Sequence, residues 1–463
     1  MNKIFAIVIL FLSISLFGQS ETKDTLKYEY KIEKLKSNFF KKERTVKIYL
    51  PTNYDKKQKY PVIYTLDGYE LFEITTNYEN YLAKYNLIPN CIVVGIFHNN
   101  RDYETTPNYG RDVRIPVTEF LEGSEKLKNH LLKEVIPMID NQYSTSGFNT
   151  LIGHSNTATF VNEMISENEN PFNGFIAITP DLLKEQTEYL KKHFSEKEFN
   201  KTYYFVSSGL KDDKYRLETG KILDTIFQKT KNNNFTGLHK IYNAGHLDLV
   251  PKSLNDALMF IFSDFRNYDD FNIKVIDNNL PISTYIEKKT ILTNENYGIN
   301  YNLTEDDFYY LLDLVLEKKD KNLLEQLFEV GEKNVFFSKN EKYSSKAQFY
   351  EEMGLYEDAL INWKLQIENG FYENTFYFER PFKLLNENLN RPKEGIEFLE
   401  EAIRKYPKGT LTFNYLIAET TLKHRLKKRT GIRAINYCLD HFEENRKFSL
   451  KDTKELKSKL LKK

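Results

Sequence analysis

From about Leu26 to Phe265, short apolar runs alternate with longer stretches whose apolar positions recur at helical spacing. Runs buried on both faces need helices to cover them, so the alternation predicts a mostly parallel α/β sheet. The strand-like runs are Val46 to Leu50, Val62 to Leu66, Cys91 to Phe97, Thr150 to Ile152, Gly174 to Ile178, Tyr203 to Ser207 and Gly237 to Tyr242. Helices are expected over Gly123 to Asn141, with Ser124 placed as a cap, and over Thr157 to Ser166, Tyr215 to Lys231 and Leu254 to Phe265.

After Asp270 the pattern changes to charged, amphipathic helix with an internal repeat. Leu323, Ala359, Gly395 and Gly431 stand 36 residues apart, and the next position reads Leu324, Leu360, Ile396, Ile432. Three residues on, the column is Leu327, Trp363, Leu399, Ile435; three further, it is Val330, Gln366, Ala402, Cys438. These columns keep one helical face, and Pro407 supplies a stop after the third copy. The pattern resembles a degenerate tetratricopeptide array, whose usual period is about 34 residues; an ordinary helical bundle is the alternative. The expected organisation is therefore a leader over 1–19, an α/β domain over 20–270, a connector over 271–303 and helical repeats over 304–463.

Composition narrows the function classes. In 463 residues, 66 Lys plus Arg balance 66 Asp plus Glu, so no global field points to nucleic acid or an anionic surface, and binding must come from a local site. The start, Met1-Asn2-Lys3, an apolar run from Ile4 to Phe17, then Gly18-Gln19-Ser20, has the charge, core and small-residue exit of a secretory signal. Its apolar run is shorter than the roughly 20 residues a spanning helix needs. Export to the periplasm or the medium is expected, with no membrane span after cleavage. Cys91 and Cys438 fall in apolar settings far apart and are expected to be core residues.

Chemistry concentrates in Leu151-Ile152-Gly153-His154-Ser155-Asn156-Thr157, an apolar strand end followed by a turn and a helix. Such an elbow pushes a serine Oγ out of the sheet, and the helix start adds positive potential. Downstream, Val206-Ser207-Ser208-Gly209 leads into Lys211-Asp212-Asp213, and Tyr242-Asn243-Ala244-Gly245 presents His246. Serine alone is a weak nucleophile; a histidine must take its proton, and a carboxylate must fix that histidine's tautomer. Taken singly, Ser155 reads as a helix cap, His246 as a loop histidine and Asp212 as a solvated turn residue. Their joint order and strand-end placement favour a triad of Ser155, Asp212 and His246, with Asp213 and then Asp248 as alternative acids. An oxyanion needs two amide donors, expected from Asn156 and from Tyr69 in the turn Asp67-Gly68-Tyr69. The polar segment His98 to Tyr103 is expected to face the site and either bind substrate or buttress the elbow, with His98 and Asn99 as candidate substrate contacts and Arg101 paired to Asp102.

The blocks Arg44-Thr45-Val46-Lys47-Ile48-Tyr49-Leu50-Pro51, Tyr60 to Gly68, Val94-Gly95-Ile96, Arg101-Asp102 to Thr106-Pro107, Glu134-Val135-Ile136-Pro137 and Gly153-His154-Ser155 resemble the family that includes esterase D, feruloyl esterases and enterochelin (siderophore) esterases. The resemblance covers about Leu26 to Phe265 and implies an α/β-hydrolase fold without metal or organic cofactor, acting on a small-molecule ester. One departure stands out: the family usually carries Gly two residues after the nucleophile, where this chain has Thr157. A β-branched residue must then fit where helix crowds strand. Two functions follow: an exported ester hydrolase, or a weak or inactive hydrolase-like platform whose repeats bind a protein partner or a second copy.

Overall fold

The computed structural model describes residues 29–106, 117–167, 170–182, 184–196 and 199–462; the leader lies outside them. An eight-stranded sheet organises the first unit: β1 (Tyr30–Lys36), β2 (Glu43–Tyr49), β3 (Tyr60–Thr65), β4 (Ile92–Ile96), β5 (Thr145–His154), β6 (Phe172–Ile178), β7 (Thr202–Gly209) and β8 (Phe235–Tyr242). The spatial order is β1-β2-β4-β3-β5-β6-β7-β8, antiparallel where β2 meets β1 and β4 and parallel from β4 to β8. All parallel strands end at one edge, which gathers the loops after β3, β5, β6 and β7.

The apolar runs are buried because both faces are covered. All six residues of β3 are buried, and they alternate between two cores. Val62 and Tyr64, with Leu151 and Val206, pack on one face beside Leu131, Val161 and Leu223; Ile63, Ile152 and Phe205 pack on the other beside Phe72, Leu254 and Leu258. Each such side chain contributes about 1.5–3 kcal/mol by leaving water. Cys91 and Cys438 are both buried and unpaired.

Several elements differ from expectation. β1 was not foreseen: its sequence, Tyr-Lys-Ile-Glu-Lys-Leu-Lys, is mostly exposed, as suits a charged edge strand. The helices Leu71–Lys84 and Lys184–Glu196 were also missed, and Arg101–Thr105 forms a short helix within the expected loop. The helix expected from Gly123 starts at Val117 and runs through a π turn, Leu131–Val135, into Ile136–Gln142. Pro137 lacks the N–H that would continue a regular ladder, and the wider turn lies immediately before it.

Compact packing divides the chain into 1–270 with 287–302, and 271–286 with 303–463, so the connector region is shared between the two units. In the first, Tyr297 packs on Phe148 at 4.9 Å and accepts the Asp264 N–H. The second contains helices Glu305–Lys318, Lys321–Lys333, Lys342–Glu352, Tyr356–Glu368, Phe376–Lys383, Pro392–Lys405, Thr410–His424, Lys428–Asp440 and Leu450–Lys462. The four repeat columns fall on the helices starting at 321, 356, 392 and 428, and Leu327, Trp363, Leu399 and Ile435 are fully buried. Gln366, the polar exception, is satisfied: it donates to the Asn340 and Phe371 carbonyls and accepts the Ser344 N–H. Among the described residues no helix is long and apolar enough to cross a membrane.

Candidate active site

β5 ends at His154, and the helix Asn156–Ser166 begins after a single intervening residue. Ser155 makes that turn at φ 62°, ψ −122°, a conformation costing an L-residue about 1–3 kcal/mol. The surroundings hold it there: Ser155 N–H donates to the Ile178 carbonyl at 3.0 Å, and its own carbonyl accepts Thr159 N–H at 3.1 Å. Gly153 is required for the crossing, since a Cβ there would lie 2.3 Å from the Thr157 carbonyl oxygen. Thr157 itself is fully buried. Its Oγ1 accepts the His154 N–H at 2.7 Å and lies 2.8 Å from Asp67 Oδ2.

Asp212 follows the end of β7 and lies 3.0 and 3.1 Å, through its two oxygens, from His246 Nδ1. Thr179, itself at φ 51° after β6, donates its hydroxyl to Asp212 at 2.6 Å, and the Asp213 amide donates at 2.7 Å. Burial pushes the Asp212 pKa up, but these donors and His246 outweigh it and leave the carboxyl below its ordinary range. The neighbouring acids are engaged elsewhere. Asp213 caps the helix Lys214–Lys229, while Asp248 accepts the Gly245 N–H and pairs with Lys252. With Nδ1–H donating to Asp212, a neutral His246 offers Nε2 as a base. His154 steadies this loop: its Nε2 lies 3.0 Å from the His246 carbonyl, and burial presses its pKa down to about 4, so it donates as a neutral ring.

On the other side, Asp67 turns the chain after β3 at φ 54°. Gly68 donates to the Ile96 carbonyl at 2.8 Å; a Cβ there would sit 2.8 Å from the Phe97 ring. The next amide, Tyr69, and the first amide of the elbow helix, Asn156, have no acceptor among the described residues. The Tyr69 ring is 77 % exposed and stands edge-on to Phe97.

The loop after β4 buttresses the elbow, one of its two expected roles, but its pairings differ from expectation. Arg101 pairs with Asp67 through two bonds, Nε to Oδ1 at 2.6 Å and Nη2 to Oδ2 at 2.8 Å, and also reaches the His154 carbonyl at 2.9 Å. Asp102 instead lies 3.5 Å from the Asn156 side-chain amide. His98 is not placed to touch substrate. Its side chain is 4 % exposed and both nitrogens are used: Nε2 accepts the Asp67 N–H at 3.2 Å, and Nδ1 faces Glu104 at 3.2 Å. Asn99 is exposed, and its backbone N–H donates to Glu104 at 3.1 Å. Glu104 was not foreseen. It forms a buried pair with Arg44, at 2.8 and 2.5 Å, and accepts the Asn100 N–H. Burial opposes its ionisation, but His98 and Arg44 prevail and hold the carboxyl at about 2. Asn100, which caps the short helix carrying Glu104, was the available sequence signal.

Residues 37–181 match the model of the family described as putative esterase, a span that includes the Asp67 turn, the Arg101 helix and the Ser155 elbow. The similarity to that family is confined to part of the first unit. Over 200 residues the chain is 29% identical to an uncharacterized protein, YjcH, of Bacillus subtilis, spanning 42% of this chain and 77% of that protein. An IroE-like serine hydrolase from Shewanella oneidensis superimposes with a TM-score of 0.52 at 21% identity, covering 65% of this chain and 98% of that one. An uncharacterised protein from Capnocytophaga ochracea gives 0.56 at 17% identity over 73% and 93% of the two chains. The first unit therefore has an α/β-hydrolase fold, and an all-helical region follows it in the chain.

Proposed function

We propose that this protein is an exported serine hydrolase that cleaves carboxylic esters through an acyl-enzyme, with Ser155 as nucleophile, His246 as base and Asp212 as its orienting acid. The observation that carries the reading is the His246 Nδ1 contact to a carboxylate held ionised by Thr179 and Asp213, with the His246 ring 4.8 Å from that of His154, the residue before a serine in a strained elbow. His246 Nε2 takes the Ser155 proton as Oγ attacks the ester carbonyl, and Asp212 stabilises the imidazolium. The developing oxyanion is received by the Tyr69 and Asn156 amides, each donor worth on the order of 3 kcal/mol. The imidazolium then protonates the leaving alcohol, and water, deprotonated by His246, releases the acid.

Export rests on the leader over residues 1–19. Bulky natural esters, of siderophores or of acylated carbohydrates, are the substrates to try first. The 36-residue columns on alternate helices support a tetratricopeptide-like array, a surface suited to a protein partner or self-association. The hydroxyl contacts of Thr157 favour a working elbow over an inert platform. The test is hydrolysis of a short-chain p-nitrophenyl ester by the mature protein beside Ser155→Ala. Turnover lost in the variant is expected; equal turnover in both would end the assignment.

A further inference from the structure

We infer that Thr157 is a positioning residue that locks the elbow carrying Ser155 to the turn carrying the Tyr69 amide, an inference that rests on the serine-hydrolase reading above. The bond pattern around its hydroxyl leads there. Thr157 Oγ1 accepts the His154 N–H at 2.7 Å, so its one proton is free to be donated. Two acceptors are near: the His154 carbonyl at 2.9 Å and Asp67 Oδ2 at 2.8 Å. Arg101 Nη2 donates to both of these acceptors, so occupancy does not separate them; the carboxylate is the stronger acceptor, and the proton goes to Asp67.

Asp67 is the anchor of the opposite turn. It sits 5 % exposed at positive φ, two residues before Tyr69, with Arg101 on both carboxylate oxygens. One buried hydroxyl thus ties the main chain just before the nucleophile to the side chain just before the second oxyanion donor. Glycine, which the resembled family usually carries at this position, offers neither the acceptor nor the donor. Thr157 adds a link that the backbone alone lacks, spanning 90 residues of sequence.

A link between the two donor-bearing turns matters most when charge develops on the carbonyl oxygen, so its loss should appear in kcat more than in KM. The experiment measures kcat, KM and fluorophosphonate labelling rate for the full chain carrying Thr157→Val, Thr157→Ala or Thr157→Ser, each checked for folding by circular dichroism and urea midpoint. Thr157→Val keeps the shape without the hydroxyl, and Thr157→Ala removes the hydroxyl together with the methyl, without risk of a clash. Both should lose kcat by about 10- to 100-fold with KM within about twofold, and label more slowly. Thr157→Ser, which keeps the hydroxyl, should stay within about threefold of the parent. Parental kcat in folded Val or Ala variants, even with a lowered urea midpoint, would reduce Thr157 to a packing role and overturn the inference. A parent protein that neither turns over nor labels would overturn the nucleophile assignment itself, a result visible without any variant.

Discussion

The two units use backbone strain and charge differently. In the sheet unit, Asp67, Ser155 and Thr179 adopt positive φ directly after three parallel strands, and each bears on the candidate site. In the helical unit, positive φ at Lys319 and Arg425 is the left-handed helical conformation and closes helix C-termini, where it ends a ladder and leaves the chain free to turn. Charge follows suit. Arg44 and Glu104 are 1 % and 2 % exposed and meet across 60 residues, whereas Lys321–Asp358, Arg391–Glu357 and Lys427–Glu397 lie on the surface and join only adjacent copies of the repeat. A repeat is stabilised by neighbours, so its geometry follows from its period. A site at strand ends depends on distant residues meeting in one place.

The sharpest way to break this contrast is at the acid. Asp212→Asn should lower kcat by on the order of 10³- to 10⁴-fold, because the histidine loses its tautomer control, while Asp213→Asn, which touches only a helix cap, should stay within a few-fold. Steady-state kinetics on the two variants would decide; comparable losses would move the acid or dissolve the triad.

Stability variants come next. Glu104→Ala leaves Arg44 buried without its partner and should cost about 3–5 kcal/mol in urea unfolding. Trp363→Ala, in the repeat core, should cost a similar 3–5 kcal/mol through the cavity it leaves, while ester turnover per folded molecule is retained. By contrast, Arg391→Ala removes an exposed pair and should cost less than about 1 kcal/mol.

The buried carboxylate also sets a pH dependence. Glu104 is held at about 2, below its unfolded value of about 4.5, so its contribution is fully present above pH 4.5 and is lost as pH falls toward 2. The urea midpoint of the parent should fall across that window, and Glu104→Gln should flatten part of the fall. An unchanged slope in the variant would place the acid sensitivity elsewhere.

Much of the scaffold was legible in the sequence because buried parallel strands are continuous apolar runs, as at Val62 to Leu66 and Tyr203 to Ser207. β1 was not, since lysines and a glutamate break its run and its apolar residues split between faces, Tyr30 and Ile32 on one and Leu35 on the other. The repeat was legible as columns, and even Gln366 fits once its three partners are known. At the site, the order Ser155, Asp212, His246 could be seen because each follows a strand or small-residue turn. Its supports could not: Asp67 meets Arg101 across 34 residues and Thr157 across 90, and His154 meets His246 across 92. Arg101 therefore looked like a partner for adjacent Asp102, and His98, polar and near a strand end, looked like a substrate contact. Only three-dimensional closure turns them into struts.

The most direct test of the proposed site is intact-mass and peptide mapping after fluorophosphonate treatment of the mature parent, Ser155→Ala and His246→Ala. A single adduct on the peptide containing Ser155 in the parent, absent from Ser155→Ala and strongly slowed in His246→Ala, is the expected result. A folded parent that takes no label, or a Ser155→Ala variant that labels as fast as the parent, would contradict the assignment of Ser155 as the nucleophile.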